Sequence, residues 1–435
     1  MKAIGIDIGT TTVSAVVFDS VQDNVVEGRT IQNDSFMNTG NEWERIQDVD
    51  VIIKKAKNVL DELLRLHPDT ETIGLTGQMH GILYVNYKGS SCSPLYTWQD
   101  QRGNLPEFDG LSLTEWIGHH SGLRVFTGYG IVTHLYQHKK GWIPEDAVTF
   151  CTIPDYLGMV LTGNKEPLLH ISMAASLGFY DREKKNFQKD KLKELGIDAQ
   201  MLPKVTDTFS VLGTYRGRTV TAAIGDNQAG FLGSVGFQEN TVLLNVGTGS
   251  QVSVMCSHFF EGNGIEIRPF TEDKFLLAGS PLCGGRAYAI LENFFRRYAA
   301  AAGLGNVSQY GIMEELAGKG MGVKDNMQVT TTFNGTRENP GLRGSISNLS
   351  KDNFTPEGLT YGVLVGIARE LYDMFDVIRK LTGIKADKLI ASGNGVRKNK
   401  VLQHIFEELF ETKLYLAKYE EEAASGAAVS SLYKG

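Results

Sequence analysis

The chain has 435 residues, of which 42% are hydrophobic and 21% are charged, which is enough for two domains of ordinary size or three small ones. Its 43 lysine and arginine residues against 50 aspartate and glutamate residues give a net charge of −7, and without a dense basic cluster this balance argues against a nucleic-acid partner. No apolar run reaches the length of a membrane span, so the sequence predicts no membrane partner either.

The cysteine residues and the N-terminus bear on the cellular compartment. Cys92, Cys151, Cys256 and Cys283 are scattered without C-x-x-C spacing, which is wrong for zinc and too sparse for a disulfide framework. An apolar strand begins almost at once after the first residue and leaves no room for a signal peptide. Both observations predict a cytoplasmic protein with reduced thiols.

The first element is an apolar strand, a tight turn and a second apolar strand over residues 4–19. Asp7 closes the first strand, Gly9 allows the backbone to bend toward a ligand, and threonine residues follow at 10–12. A carboxylate oxygen beside N–H and hydroxyl donors is what a Mg²⁺–polyphosphate complex needs. An ordinary β-hairpin with a polar turn explains the same stretch, since the helical P-loop pattern is absent.

A helix predicted at 48–66, capped by Asp48 or Asp50, leads to a buried strand at 73–76. This strand runs into a loop between two glycines, and ligand sites in α/β folds usually lie at such strand ends. The loop residues that we expect at a ligand are Gln78, Met79 and His80. A loop in which the histidine caps a neighbouring element is the structural alternative.

Residues 95–102 place an aromatic ring, a carboxylate and a guanidinium at alternate positions. In an extended strand, Trp98, Asp100 and Arg102 would share one face, because strand side chains alternate. Such a face suits a polyol, with the ring against C–H groups and the charges against hydroxyls. A cross-strand ion pair at the surface is the alternative.

The middle of the chain carries weaker signals. Helical segments interrupted by glycine and proline are predicted within residues 112–146, with the histidines at 119–120 at the surface. A strand then ends in a carboxylate, Asp155, and a further helix follows it. A small-residue turn is predicted at 172–176 and a short amphipathic helix at 192–202.

The strand–turn–strand pattern of the first element occurs again in the second half of the chain. A strand at 219–224 is followed by Asp226, and a second strand–turn–strand follows at 241–255 with a Gly-Thr-Gly-Ser turn. Asn245 precedes the first glycine of that turn by two residues, just as Asp7 precedes the glycine of the first turn. A repeat at this long period implies two related halves that face a shared ligand.

The C-terminal part is richer in predicted helix. A long helix at 356–381 has an apolar stripe that we expect to pack on a sheet. A strand at 389–392 leads into Gly-Asn-Gly at 393–395, where glycine allows a ring or phosphate to approach the backbone. A helix at 396–410, a last strand and a small-residue helix that opens at Glu421 complete the chain.

Taken together, these motifs resemble those of the actin–hexokinase superfold and, within it, of the FGGY family of carbohydrate kinases. The similarity runs from end to end over motifs at residues 7–11, 77–81, 98–102, 225–227, 245–250 and 392–395 with Asn399. The resemblance implies an α/β fold of two actin/hexokinase-like (ribonuclease H-like) domains with a cleft between them. It divides the chain into an N-terminal domain at 1–216 and a C-terminal domain at 217–435.

The resemblance also implies roles for residues of an ATP-dependent kinase. Asp226 would be the general base for the sugar hydroxyl, and Asp7 would hold Mg²⁺ through water. The residues implied at the phosphates and adenosine of ATP are Thr10, Thr11, Thr12, Gly247, Thr248, Gly393, Asn394, Gly395 and Asn399. The residues implied at the sugar are Gln78, Met79, His80, Trp98, Asp100, Arg102, Asp155 and Asn227. Domain closure would exclude water from the cleft, and a homodimer is possible.

Within the family, the segments 78–80 and 98–102 resemble those of ketose kinases, so kinases of xylulose and of sedoheptulose both fit. Residues 155–156, 225–229 and 393–397 favour phosphorylation of sedoheptulose at its terminal hydroxyl. The chain departs from the family pattern in its short length and in two further places. These are residues 129–141 and Val365.

Two readings from other classes share the fold. A non-catalytic sugar or nucleotide sensor is disfavoured because Asp7, Asp226 and both Gly-Thr turns are intact. An actin-like filament or chaperone ATPase is disfavoured by the sugar-type motifs that lie between the two turns.

Overall fold

A computed structural model of the chain describes residues 1–260, 264–322, 325–336 and 339–433. Contacts between residues divide the chain into two units. The first contains Met1–Gly236, Pro269–Asp273 and Glu421–Gly435, and the second contains Phe237–Arg268 and Lys274–Glu420. The domain boundary predicted at 216/217 lies inside the first unit and stays a prediction.

The described elements are these, in chain order. The strands are β1 (Lys2–Ile8), β2 (Thr12–Asp19), β3 (Asn24–Gln32), β4 (Ile46–Gln47), β5 (Thr70–Gly77), β6 (Leu83–Asn86), β7 (Leu95–Tyr96), β8 (Ala147–Cys151), β9 (Leu168–His170), β10 (Tyr180–Asp181), β11 (Asn186–Phe187), β12 (Lys204–Thr206), β13 (Val211–Tyr215), β14 (Arg218–Thr221), β15 (Ile224–Gly225), β16 (Thr241–Val246), β17 (Ser250–Cys256), β18 (Glu266–Thr271), β19 (Lys274–Gly279), β20 (Gln328–Thr330), β21 (Ser345–Ser347), β22 (Lys388–Ser392) and β23 (Leu414–Leu416). The helices are α1 (Val49–Leu66), α2 (Leu113–Ser121), α3 (Gly130–Lys140), α4 (Ile153–Thr162), α5 (Ile171–Ser176), α6 (Lys189–Glu194), α7 (Asp226–Val235), α8 (Arg286–Ala301), α9 (Tyr310–Gly320), α10 (Pro356–Thr382), α11 (Asn394–Arg397), α12 (Lys400–Phe410) and α13 (Glu422–Leu432).

The main sheet of the first unit has the strand order β13-β14-β5-β1-β2-β3, with β15 also paired to β5. β1, β2 and β3 are joined antiparallel, whereas β1, β14 and β15 each run parallel to β5. Helices cover the sheet, so Ile4, Ile6 and Ile8 of β1 are fully buried, as the nearly continuous apolar sequence of a parallel strand requires. The carboxyl ends of β1, β5 and β15 therefore meet at one edge.

Helix α1 packs on β1 and β2. Its buried side chains recur at helical spacing, at Val49, Ile52, Ile53, Ala56, Val59, Leu60, Leu63 and Leu64. Asp48 Oδ1 accepts a hydrogen bond from Val51 N at 3.1 Å, which satisfies a free N–H of the first turn. The predicted helix and its aspartate cap are confirmed.

Helix α13 packs on β1, β5 and α7, and glycine makes this close approach possible. A Cβ atom at Gly74 would lie 1.7 Å from Ala427 O, and one at Gly5 would lie 1.8 Å from Ala424 O. The small residues predicted to open a helix at the C-terminus therefore allow it to lie directly on the first sheet.

We expect Gly74→Ala to lower the free energy of unfolding by about 3 kcal/mol, because its methyl group would overlap a helix carbonyl that cannot move alone. Gly230→Ala on α7 is the matched control, since an added Cβ there meets no atom within 4 Å and alanine favours helix by up to about 1 kcal/mol. Urea unfolding followed by circular dichroism measures both. Equal midpoints for the two variants would contradict the packing described for α13.

The sheet of the second unit has the order β18-β19-β17-β16-β22-β23. β16 and β17 form an antiparallel hairpin, and β16 runs parallel to β22. β1 has the same relation to β2 and β5 in the first unit. The internal repeat predicted from the two Gly-Thr turns is thus present in the strand pairing.

Helix α10 confirms the long helix predicted at 356–381. The stripe residues Val363, Ile367, Leu371, Phe375 and Ile378 are buried, and the helix packs on β17, α9 and α12. The stripe therefore belongs to the core of the second unit.

Some local predictions are wrong for identifiable reasons. The helix predicted at 192–202 stops after Glu194, because Gly196 takes a left-handed φ of +87°. The turn predicted at 172–176 is helix α5, whose first turn is capped by the side chain of His170. The helix predicted at 396–410 is interrupted, since Asn399 begins a new helix, α12. Among the described helices, none combines the length and the apolar character that crossing a bilayer would need.

Candidate active site

The carboxyl ends of three neighbouring strands position the two aspartates singled out in the sequence. Asp7 on β1 is in register with Thr76 on β5, and Ile224 on β15 is in register with the same residue from the other side. Thr76 Oγ1 donates to Ile224 O at 2.8 Å and so fixes the strand that leads to Asp226. Asp7 and Asp226 therefore flank the end of β5, where α/β sheets place ligands.

The turn between β1 and β2 is held in place by Asn33. Asn33 Nδ2 donates to Gly9 O at 2.8 Å, and Asn33 N donates to Thr11 O at 2.7 Å. Thr11 is exposed, while Thr10 and Thr12 are half-buried. With its carbonyls engaged, the turn can offer N–H and hydroxyl donors to an anion.

The carboxyl group of Asp7 is in surroundings that disfavour its charge. Burial, followed by the nearby Asp226 and Glu421, raises the pKa of Asp7 from 3.8 to about 7. A cation beside it would reverse that effect, and Mg²⁺ usually binds one or two carboxylates plus water and phosphate oxygens. Within the described residues, no three His, Cys, Asp or Glu side chains are arranged to hold a metal by themselves. The donors present thus fit a Mg²⁺ ion that also has phosphate ligands.

Asp226 is the first residue of α7 and lies beside the 78–80 loop. Asn227 Nδ2 donates to Asp226 Oδ1 at 2.7 Å and lies 3.5 Å from Met79 Sδ. A Cβ atom at Gly225 would lie 2.8 Å from the same sulfur, which explains the glycine before the aspartate. The structure therefore brings Met79, Asp226 and Asn227 together, although they are far apart in sequence.

A hydrogen-bond chain joins the 78–80 loop to the first turn. Gln78 Nε2 donates to Gln47 Oε1 at 2.9 Å, and Gln47 Nε2 donates to Thr10 O at 2.9 Å. Trp98 Nε1 donates to Thr10 Oγ1 at 3.0 Å, while its side chain is 46% exposed. No described residue donates to the buried Gln78 Oε1, so this oxygen is an acceptor suited to a ligand hydroxyl.

His80 is held from two sides. It has a left-handed φ of +73°, which non-glycine residues adopt mainly where surrounding contacts enforce it. Its N–H donates to Ser176 Oγ at 3.1 Å, its Nδ1 lies 2.6 Å from Ser176 O, and its ring stacks on Tyr129 with centroids 4.9 Å apart. The carbonyl requires the hydrogen on Nδ1, which makes Nε2 an acceptor.

Residues 98–102 do not form the predicted extended strand, and the expectation that three side chains share a face is wrong. A 3₁₀ turn begins at Arg102, because Asp100 Oδ1 accepts from both Arg102 N at 3.1 Å and Arg102 Nε at 2.6 Å. The guanidinium is 1% exposed and lies over the ring of Tyr96 at 4.4 Å. The ion pair is thus buried, not at the surface, and Trp98 alone of the three is exposed. Sugar contacts by Asp100 and Arg102 stay a prediction.

We expect Asp100→Ala to lower the free energy of unfolding by about 3 kcal/mol, because the buried guanidinium loses its closer carboxylate and keeps only Glu44 Oε1, 3.4 Å from Arg102 Nη2. It also removes the acceptor of Arg45 N, now 3.0 Å from Asp100 Oδ2. Glu42→Ala is the control, since Glu42 is exposed in the preceding segment and such changes stay within about 0.5 kcal/mol. Unchanged urea unfolding with a raised KM for sugar would instead identify Asp100 as a sugar contact.

Two other predicted ligand residues have structural partners. Thr152 Oγ1 donates to Asp155 Oδ2 at 2.5 Å in the first turn of α4, and burial raises the pKa of Asp155 to about 7. Asn399 Oδ1 accepts from Leu402 N at 2.9 Å and caps α12. Their roles toward sugar and adenosine stay predictions.

In the second unit, the turn between β16 and β17 lies against the start of α8. Gly247 N donates to Gly249 O at 2.8 Å and closes the turn. Gly285 N donates to Ser250 Oγ at 2.9 Å, and a Cβ atom at Gly285 would lie 1.9 Å from Gly247 O. The N-terminus of a long helix beside a glycine turn suits a phosphate group.

The glycines of the 393–395 junction pack against Val246, the residue that leads into the same turn. Cβ atoms at Gly393 and Gly395 would lie 2.5 and 2.8 Å from Val246 O, and Gly393 has a left-handed φ of +88°. Asn394 and Thr248 are exposed beside these glycines. The second unit therefore brings together the turn and the junction that the sequence assigned to one nucleotide.

Some residues of the site were not found by sequence reasoning. They are Asn33, Gln47, Tyr129, Ser172 and Ser176, which hold the turn, the loop and the strand before Asp226. Their contacts join segments that are distant in the chain, and periodicity gives no sign of such contacts. The small-residue run at 172–176 was the one local signal.

Comparison with known proteins places the chain among sugar kinases. Residues 2–241 match the N-terminal domain, and residues 243–434 the C-terminal domain, of the FGGY family of carbohydrate kinases. Sedoheptulokinase of Mus musculus is 26% identical over 99% of this chain and 97% of its own length. Xylulose kinase of Staphylococcus xylosus is 24% identical over 98% of this chain and 90% of its own.

The solved structure of xylulose kinase from Rhodospirillum rubrum has the same fold. It aligns with a TM-score of 0.83 over 99% of this chain and 89% of its own, at 20% identity. The predicted actin/hexokinase-like α/β fold is thereby confirmed. The two family matches confirm the carbohydrate kinase class, which implies ATP and a sugar as substrates. The chain belongs to the FGGY family of carbohydrate kinases.

Proposed function

We propose that this kinase phosphorylates the terminal hydroxyl of a ketose, with sedoheptulose as its substrate and sedoheptulose 7-phosphate as its product. The observation that carries the choice of sugar is the similarity to mouse sedoheptulokinase, which extends over nearly the full length of both chains. The residue pattern at 155–156, 225–229 and 393–397 supports the same choice.

Asp226 acts as the general base in this proposal. It takes the proton of the terminal hydroxyl while the hydroxyl oxygen attacks the γ-phosphorus and ADP leaves. Phosphoryl transfer proceeds through a loose transition state, so positioning matters more than base strength and a carboxylate is sufficient. The 2.7 Å hydrogen bond from Asn227 supports this role, because it orients the carboxylate.

Asp7 would hold a Mg²⁺ ion through water, and this ion would neutralise the phosphates of ATP. When bound, the metal supplies positive charge to the transferring phosphoryl group. Donors at 10–12 in the first unit, and Gly247 and Thr248 in the second, would contact phosphate oxygens. Gly393, Asn394, Gly395 and Asn399 would line the adenosine site.

The sugar site in this proposal is the loop and turn region of the first unit. Gln78 Oε1 and His80 Nε2 would accept hydrogen bonds from sugar hydroxyls, and the exposed ring of Trp98 would cover C–H groups. Met79 and Asn227 would place the sugar against the base. Asp100, Arg102 and Asp155, which are engaged in buried contacts of their own, would support the segments that carry these groups.

A coupled assay of ADP release over a panel of sugars tests the proposal. The panel contains D-sedoheptulose, D-xylulose, D-ribulose, L-ribulose, L-fuculose, L-rhamnulose and glycerol. We expect the highest kcat/KM with D-sedoheptulose, because a pocket that pairs all the hydroxyls of a heptulose leaves groups unpaired with a shorter ketose. A higher kcat/KM with any other member would overturn the choice of substrate.

D-xylulose is the second candidate. The full-length similarity to Staphylococcus xylosus xylulose kinase favours it. Preference for D-xylulose with little activity on D-sedoheptulose would establish this alternative and leave the assigned base and metal residues unchanged.

A further inference from the structure

A cavity of about 790 Å³ lies in the first unit, near the beginning of β5. Thr72 of β5 and its register partner Thr219 of β14 line it. Thr76, in register with Asp7, is four residues further along β5, which is about 13 Å at the rise of a strand. The cavity is therefore separate from the candidate active site.

Carboxylates surround this cavity. Glu71, Asp207, Glu272 and Asp273 line it, and Asp207 pairs with Lys185 at 2.7 Å. Among the described lysine and arginine residues, none forms a salt bridge with the other three carboxylates. The cavity would repel nucleotides and sugar phosphates, and it attracts a cation.

A buried hydroxyl in the wall of the cavity lacks a partner. Thr221 is 3% exposed, and within the described part of the chain its Oγ1 has no hydrogen-bond partner. Its neighbours Thr72 and Ser431 satisfy each other, with their hydroxyl oxygens 2.7 Å apart. A buried hydroxyl without a partner carries a desolvation cost that a ligand donor would remove.

Aromatic rings complete the lining. Phe209 and Tyr433 both line the cavity and meet edge to face with centroids 5.5 Å apart. Ring faces favour organic cations, because alkylammonium groups give up their water more easily than metal ions do. We propose that this cavity is a second ligand site, which binds an organic cation with ammonium groups, such as a linear diamine or polyamine.

A chain of contacts leads from this cavity to the catalytic carboxylate. Phe209 stacks on His170 with centroids 5.5 Å apart, and His170 Nδ1 lies 2.7 Å from Ser172 Oγ. Ser172 Oγ accepts from the N–H of Gly225 at 2.9 Å, directly before Asp226. Through these contacts, occupancy of the cavity would alter the position of Gly225 and so the rate of sugar phosphorylation, and this half of the proposal rests on the proposed role of Asp226.

Isothermal titration of the intact protein with spermidine and putrescine, without sugar or ATP, tests binding independently of catalysis. We expect saturable one-site binding that weakens with salt, and no binding of the neutral analogue 1,4-butanediol. Glu272→Gln with Asp273→Asn should weaken it about tenfold, and Thr221→Val about fivefold. Thr221→Val removes only an unsatisfied hydroxyl, so its stability should be retained. Glu194→Gln, on the exposed part of α6, is the control and should bind as the wild type does.

The coupling is tested by kcat/KM for the sugar at saturating MgATP, with and without spermidine. We expect a change of about fivefold in the wild-type protein. In Thr221→Val, the spermidine concentration that gives half of this change should be about five times higher, whereas chelation of ATP would act at the same concentration in both proteins. Absence of spermidine binding, or equal binding by all variants, would overturn the site. Binding without any change in kcat/KM would overturn the coupling and leave the site established.

Discussion

Asp226→Asn lowers kcat for sugar phosphorylation by about 10²–10⁴-fold, the usual contribution of a general base, while the KM for ATP changes little. The asparagine side chain has the same shape and can still accept the hydrogen bond from Asn227. What it lacks is the ability to take a proton from the attacking hydroxyl. Steady-state kinetics with the preferred sugar, at saturating MgATP, measures the loss.

The control for this variant is Asp190→Asn, because the Asp190 side chain is 92% exposed and belongs to α6, which carries none of the proposed site residues. It should retain wild-type kcat. Thermal unfolding of both variants separates loss of chemistry from loss of fold. A folded Asp226→Asn protein with a decrease in kcat far below a hundredfold would exclude Asp226 as the base.

The parts of the site that could be predicted from sequence are those that short, local sequence patterns determine. A strand, a glycine turn and a second strand are recognisable without tertiary information, and so is their repetition at Asn245. Strand ends predict an edge where ligands bind, and the resemblance to the FGGY family assigned Asp7 and Asp226 to one site there. Register in the sheet confirms that these two residues flank β5.

The parts that could not be predicted depend on tertiary contacts. Alternation predicted that Arg102 would share a face with Trp98, but burial with Asp100 stabilises a local turn instead. The position of His80 depends on Tyr129 and Ser176, and no spacing in the chain connects them. Likewise, the sequence did not predict that the C-terminal helix α13 packs in the first unit. The close approach of its backbone to Gly5 and Gly74 shows this packing.

The free energy of unfolding of the first unit should depend on pH through the protonation of Asp7. Burial raises the pKa of its carboxyl group from an ordinary value of 3.8 to about 7 in the folded protein, so the folded state binds the proton more tightly. Its contribution to stability is therefore fully present below pH 3.8 and is lost as the pH rises through 7. Asp7→Asn removes this dependence, and without Mg²⁺ or ATP it should be more stable than the wild type at pH 8.

The same substitution should lower kcat by about 10²–10³-fold, the usual cost of removing one electrostatic contact to the transition state, and raise the Mg²⁺ concentration needed for half-maximal rate. A site that disfavours the charge of its own carboxylate is stabilised by removal of that charge, but it then loses the group that attracts the metal. Urea unfolding at pH 5 and pH 8, together with Mg²⁺ titrations of activity, tests both halves. If Asp7→Asn is less stable than the wild type at pH 8, the folded protein does not disfavour the ionised form of Asp7. If the variant retains wild-type kcat and Mg²⁺ dependence, Asp7 does not hold the metal.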